Sequence, residues 1–242
     1  MNFTEKPNLK QRKRECRKKE TCKQQAIDYI RNALMQRQFR QGTHITAAAV
    51  AQAIGVSIVP TREAIMELAA QGLLEYHSNT GAVVRTITIL EIRQYMQLRF
   101  LIEPYAASEA ALNGTTAQVE AVGMALEKMR NCAQKLYENQ GDADFFMKAA
   151  MAMNQADMAF HLALFEATNN VAVQRFAQQL TDCFYLYAIS ERWSMEEAES
   201  FIRNSQKSLV THTIINQALR ERNPKKAAEA VRKSLKSSGF FS

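Results

Sequence analysis

Asp157 and His161 stand four residues apart in a chain of 242 residues. On a helix that spacing puts the two side chains on one face, within reach of a common point. A carboxylate oxygen and a neutral imidazole nitrogen together suit a divalent transition metal such as zinc or nickel. Without an ion, the Asp157–His161 pair is a helix-surface contact worth roughly a few tenths of a kcal/mol. Arg99 is a second candidate. It sits in the apolar stretch Met96-Gln97-Leu98-Arg99-Phe100, four residues before Glu103. It is either half of an intrahelical ion pair or a planar guanidinium turned inward to bind an anion.

A different chemistry is expected of residues 46–85. Ala47 to Ile54 reads as a short helix with Val50, Ala51 and Ile54 on one apolar face. Gly55 suits its C-cap, and Ser57 can cap a second helix that carries Pro60 in its first turn and runs to about Ala70. Ile65, Leu68 and Ala69 are expected to face inward. Gln71-Gly72 closes that helix, Leu73 starts a strand, Asn79-Thr80-Gly81 forms a hairpin tip, and Ala82-Val83-Val84 returns. A helix-turn-helix with a two-stranded wing is a device for setting one helix in a DNA major groove. Arg62 is then the expected phosphate or base contact, with Ser57, Val59 and Thr61 near the groove. Glu63 and Ala64 serve helix geometry and packing. Gly81 lets the wing approach the duplex backbone closely. Arg37, Arg40 and Arg85 are phosphate contacts or solvated charges, and His44 and His77 are surface residues.

The elements that must hold these residues are mostly helical. The chain is 47% apolar with only 8 Gly and 4 Pro, a composition that favours helix. No apolar run approaches the ~18 residues needed to span a bilayer, and no apolar stretch follows the charged N-terminus as in an export signal. The four cysteines (Cys16, Cys22, Cys132, Cys183) show no metal-ligand spacing and are expected to be reduced thiols, which points to the cytoplasm. The net charge of +7 is uneven: residues 1–23 contribute +6, residues 24–89 contribute +1, and residues 90–242 contribute nothing. The first 23 residues therefore read as a basic extension, mobile in its first part. It is either an arm adding non-specific phosphate contacts, a solubilising terminus, or a basic first turn of the next helix. Cys22 to Gln36 is expected to be the first helix of a DNA-reading domain spanning 24–87. Thr88 caps a long helix, with Glu91 at the capping-box position. Residues 88–242 then read as an all-helical domain with helices near 89–113, 116–139, 142–168, 171–192, 195–221 and 224–237. They break at Asn113-Gly114, Gln140-Gly141, Asn169-Asn170, Trp193-Ser194 and Asn223-Pro224. Short turns between six helices make an antiparallel bundle. The fold class is thus mainly α: an N-terminal winged helix-turn-helix and a C-terminal all-α antiparallel helical bundle.

The run Val56-Ser57-Ile58-Val59-Pro60-Thr61-Arg62-Glu63-Ala64-Ile65, with Leu68, Gly72-Leu73 and Gly81, resembles the winged-helix signature of GntR-type bacterial transcription regulators. One residue departs: Ile58 stands where the family usually has Arg, a residue that in relatives commonly reads base edges. Arg99-Phe100-Leu101-Ile102-Glu103-Pro104, Asp157-Met158-Ala159-Phe160-His161, Ala167-Thr168-Asn169-Asn170 and His212 resemble the ligand-binding domain of the FadR-like branch. That resemblance implies a metal held by Asp157, His161 and His212, with Ser234 where metal-binding members carry a further histidine. It also implies an effector pocket lined by Arg99, to which Ser234 and Asn170 are added, although Asn170 can equally be a helix cap. The function it implies is a cytoplasmic homodimeric regulator, most often a repressor. Such a protein binds a palindromic double-stranded DNA operator, and a small carboxylate tunes its affinity. Two other readings stand beside it: a metal-dependent enzyme built on the bundle, with water activated at Asp157, His161 and His212, and a DNA-binding dimer with a ligand-free bundle. Against the enzyme, no good nucleophile, paired catalytic carboxylates or phosphate-binding loop is visible.

Overall fold

The computed structural model describes the backbone of residues 9–78, 80–138, 142–190 and 198–237. The chain divides into two compact units, with the main change between Ile87 and Thr88 and with residues 184–190 grouped with the first. In the first, α1 (Leu9–Met35) packs against α3 (Ile58–Ala70) and α2 (Ala47–Ile54). Their buried faces bring together Ile27, Ile30, Leu34, Val50, Ile65 and Leu68. Thr46 caps α2 by accepting from the Ala49 N–H at 3.2 Å. Gly55 ends that helix in the left-handed region at φ 70°, where a Cβ is costly. Pro60 sits buried in the first turn of α3, where its missing N–H leaves no helix bond unmade.

Two expectations for this unit are corrected. The wing is part of a three-stranded antiparallel sheet in the order β1-β3-β2, not a two-stranded hairpin. β1 (His44–Ile45) pairs with β3 (Gly81–Val84) through His44↔Val83 and Ile45↔Ala82, and β2 (Leu74–His77) pairs with the other edge of β3. His44 is thus a strand residue. The basic run Lys10 to Lys23, expected to be mobile in its first part, is helical backbone within α1; Lys, Arg, Glu and Gln are all good helix formers. Asn79, expected at the hairpin tip, lies outside the described residues.

The second unit is a helical bundle: α4 (Ile89–Asn113), α5 (Thr116–Glu138), α6 (Ala143–Glu166), α7 (Val171–Ser190), α8 (Ala198–Arg220) and α9 (Pro224–Ser237). Local signals start the helices. Thr88 and Glu91 form a complete capping box on α4, and Thr115 and Gln118 make the equivalent exchange on α5. Asp142 accepts from the Phe145 N–H at 3.0 Å, and Asn223 accepts from the Lys226 N–H at 3.0 Å. α5 packs on α6 and α8, and α9 packs on α4 and α8. The core between them is built on Leu126, Met129, Phe146, Phe160, Leu164 and Ile215. Full burial of each such side chain contributes about 1.5–3 kcal/mol before entropy is charged against it. The expected breaks at Gln140-Gly141 and Trp193-Ser194 lie outside the described residues.

Candidate functional site

Helix α6 carries Asp157 and His161 one turn apart, and α8 brings His212 against them. The His161 and His212 Nε2 atoms are 3.2 Å apart. Asp157 Oδ1 is 3.4 Å from His212 Nε2, and Asp157 Oδ2 is 3.8 Å from His161 Nε2. Both imidazoles are nearly buried, and the His212 ring stands edge-on to Phe160 with centroids 4.4 Å apart.

The neighbours of the other ring nitrogens fix the tautomers. His212 Nδ1 lies 2.7 Å from the Ser208 carbonyl oxygen. A carbonyl only accepts, so the His212 proton is on Nδ1 and Nε2 holds a lone pair. His161 Nδ1 lies 3.2 Å from Glu103 Oε2. The two atoms are buried, bent off the line of a hydrogen bond, and have no other partner among the described residues. Burial raises the Glu103 carboxyl, but Arg99 and His161 more than offset this and hold it at about 2. The Glu103 anion favours the His161 tautomer with its proton on Nδ1. Two nitrogen lone pairs and two carboxylate oxygens then converge with no proton between them. That arrangement requires a cation, or one additional proton on the cluster. With metal–ligand bonds of about 2.0–2.2 Å, neighbouring ligands in tetrahedral or octahedral sites lie about 3.0–3.6 Å apart. The observed spacings fall close to this range, so the three side chains fit a transition metal.

Electrostatics favour the ligand forms. Burial alone raises the Asp157 carboxyl; His212, His161, Arg99 and the Ser208 hydroxyl, which donates to Oδ1 at 3.1 Å, bring it below its ordinary value. Burial pushes the His212 imidazole down to about 4, partly opposed by Asp157. His212 is therefore neutral near neutral pH, as a metal ligand must be.

The cluster opens into a cavity of about 250 Å³ lined also by Arg99, Ser234, Asn154, Asn204 and Lys207. Small-molecule sites are typically about 300–1,000 Å³, so this one suits a small acid. Arg99 is bound to Glu103 on α4, and the same carboxylate backs His161. The Ser234 hydroxyl lies 3.1 Å from that of Thr211. Asn170 is corrected: it is the cap of α7, accepting from the Ala172 and Val173 N–H groups, and does not line the cavity. Sequence reasoning treated Glu103 only as a partner for Arg99 and did not single out Ser208. The spacing of Ser208 four residues before His212 was a usable signal, whereas the contact of Glu103 with another helix had none.

In the first unit, Arg62, Ser57 and Val59 are exposed on or beside α3, and Arg40 is exposed in the turn before β1. Thr61 is corrected: it is fully buried, and its hydroxyl donates to the Ser57 carbonyl at 3.0 Å. Ser57 occupies the N-cap position without a side-chain capping bond. Arg85 donates to the Gly72 carbonyl at 2.6 Å, which ties the wing to the end of α3. Gly81 has φ +117°, and a Cβ there would collide with the Ile45 carbonyl. Its glycine serves the β1–β3 pairing.

The sequence signature of the FCD domain matches residues 94–237, and that of the gntR family of bacterial regulatory proteins matches residues 22–84. A protein of Paenarthrobacter nicotinovorans, named "Probable D-xylose utilization operon transcriptional repressor", is 28% identical over 155 residues, covering 64% of this chain and 63% of that protein. LutR, an HTH-type transcriptional regulator of Bacillus subtilis, is 29% identical over 137 residues, covering 50% of this chain and 56% of that one. An uncharacterized HTH-type regulator of Mycobacterium tuberculosis is 27% identical over 109 residues, and the match spans 45% of each chain. Each match therefore covers less than two thirds of the relative's length. Among solved structures, E. coli McbR/YncC has a TM-score of 0.66 at 17% identity, covering 89% of this chain and 93% of that one. A GntR regulator from Rhodococcus sp. RHA1 has a TM-score of 0.64 at 18% identity, with 90% and 95% covered. At these identities the likeness speaks for the fold alone. Among the described residues, no helix is long and apolar enough to cross a membrane. The two signatures together span most of the sequence, and the chain belongs to the GntR family of bacterial regulators with an FCD domain.

Proposed function

We propose that this regulator is an effector-responsive homodimer and a repressor. Its winged helices bind a palindromic double-stranded operator, and a small organic acid in the FCD cavity alters that affinity. A divalent transition metal, zinc or nickel, held by Asp157, His161 and His212, gives the acid a Lewis-acidic anchor. Arg99 and Ser234 line the same cavity. The observation that carries the metal is the convergence of one ligand atom each from Asp157, His161 and His212 within 4.8 Å of one another, with the two Nε2 atoms 3.2 Å apart. Three protein ligands leave coordination positions for water or a carboxylate. The name of the Paenarthrobacter relative supports the repressor sign. Effector and operator must each prefer a different state of the dimer for this to be allostery.

The test begins with metal content and thermal unfolding. At a thousandfold excess over Kd, zinc or nickel stabilises wild type by about 4 kcal/mol, on the order of 10 °C in Tm. His161→Ala is expected to abolish the response. Wild type that purifies without metal and ignores added zinc and nickel would sink the coordination and favour a bundle without metal. Retardation of the chain's own upstream duplex, reversed by organic acids, tests the regulatory half. A duplex released by no acid would leave a DNA-binding dimer only.

A further inference from the structure

Helix α3 turns an unusual set of side chains outward. Ile58, Val59 and Met66 are 47%, 58% and 51% exposed, and Arg62 is exposed among them. At about 100° per residue these four fall within an arc of about 100°. The opposite arc holds Pro60, Thr61, Ala64, Ile65 and Leu68, all buried against the rest of the unit. Scattered apolar surface residues need no explanation. Three on one face of a DNA-reading helix, within nine residues, do. Ile58–Arg62–Met66 is a straight row of four-residue steps, and Val59 flanks it. The major-groove floor offers one apolar group, the C5-methyl of thymine; guanine offers only acceptors, which an aliphatic side chain cannot satisfy.

We propose that α3 selects its half-site through thymine methyl groups, read by Ile58, Val59 and Met66, with Arg62 as the single cation in the row. This rests on the DNA-binding assignment of the winged helix and adds what that helix reads. Ile58 is the determinant: its methyls exclude water from a T·A pair and leave guanine O6 and N7 without a donor. Operator positions facing Ile58 and Val59 are therefore T·A, and any selected guanine faces Arg62.

The experiment uses the full-length protein and a pool of random-sequence duplexes. After selection, single thymines of the enriched half-site are replaced by deoxyuridine, which removes the methyl and nothing else. Each methyl read by the helix is expected to cost about fourfold in affinity, the effect of burying one methyl group. Ile58→Ser should erase that sensitivity at one position, and Ile58→Arg should shift the selected base there to guanine. Ile58 is on the surface, so these variants keep the fold, which circular dichroism checks. Sequence-selective binding that ignores deoxyuridine overturns the inference and leaves DNA binding intact. Retention of no duplex overturns both. An Ile58→Ser protein that changes its oligomeric state but not its base preference assigns this face to another chain and likewise overturns it.

Discussion

Glu103 is the residue on which the FCD site turns. It is fully buried, bonded to Arg99 and 3.2 Å from His161 Nδ1. Its charge is retained because two cationic or proton-bearing neighbours outweigh the burial cost. Glu103→Gln removes the anion and leaves the Arg99 guanidinium buried without its counter-charge. Breaking one side of such a pair costs about 3–5 kcal/mol, which chemical denaturation would register. It also removes the group that orients His161. Loss of a residue behind a metal-bound histidine typically lowers metal affinity about 10–100-fold, readable by calorimetric titration with zinc. A variant with unchanged stability and unchanged zinc affinity would show that Glu103 is a bystander.

At the level of elements, α4 has two working faces. Arg99 and Glu103 are buried on one side. On the other, Leu98, Leu101, Tyr105 and Leu112 are 41%, 69%, 46% and 57% exposed. Their spacing of three, four and seven residues is a heptad stripe, the pattern of a helix that packs on another helix. A palindromic operator needs two readers related by a twofold axis, so the occupant expected on this stripe is a second copy. Leu101→Glu with Leu98→Glu should convert a dimer to monomer in sedimentation while helicity is kept; a dimer that survives would place the interface elsewhere. The sequence announced elements where the signal was local. Gly55, the Thr88–Glu91 box and the breaks at Asn113-Gly114, Asn169-Asn170 and Asn223-Pro224 each act within a few residues of themselves. It was silent where the cause was distant. β1 is two residues long and exists only because Val83 and Ala82 lie beside it. Thr61 faced inward because the packing of α3, not its residue type, chose the buried arc. The amino-terminal half of α1 has no apolar stripe to betray it, only residues of high helix propensity. Asp157 and His161 were legible as a pair, but their backing by Glu103 and Ser208 comes from other helices.

For the whole molecule, charge is the property that its two halves divide most unequally. Nearly all the net positive charge lies in residues 1–23, next in sequence to the winged helix, while residues 90–242 are neutral. Deleting residues 1–20 leaves every residue known to be buried in α1, from Ala26 onward. The truncated protein is expected to bind duplex DNA more weakly. The slope of log affinity against log salt should be shallower by about 0.9 for each phosphate that the segment neutralises; an unchanged slope would mean the segment stays off the duplex. The neutral charge balance of residues 90–242 leaves that electrostatic pull to the amino-terminal segment. The double-sided character of α4 carries a further consequence. With a second copy against its outer stripe, the guanidinium that meets an incoming acid and the leucines that meet a neighbouring subunit ride on the same rigid rod, a few residues apart. Occupancy of the cavity would then reach across to the other subunit through one helix's tilt, with no intervening relay to evolve or to break.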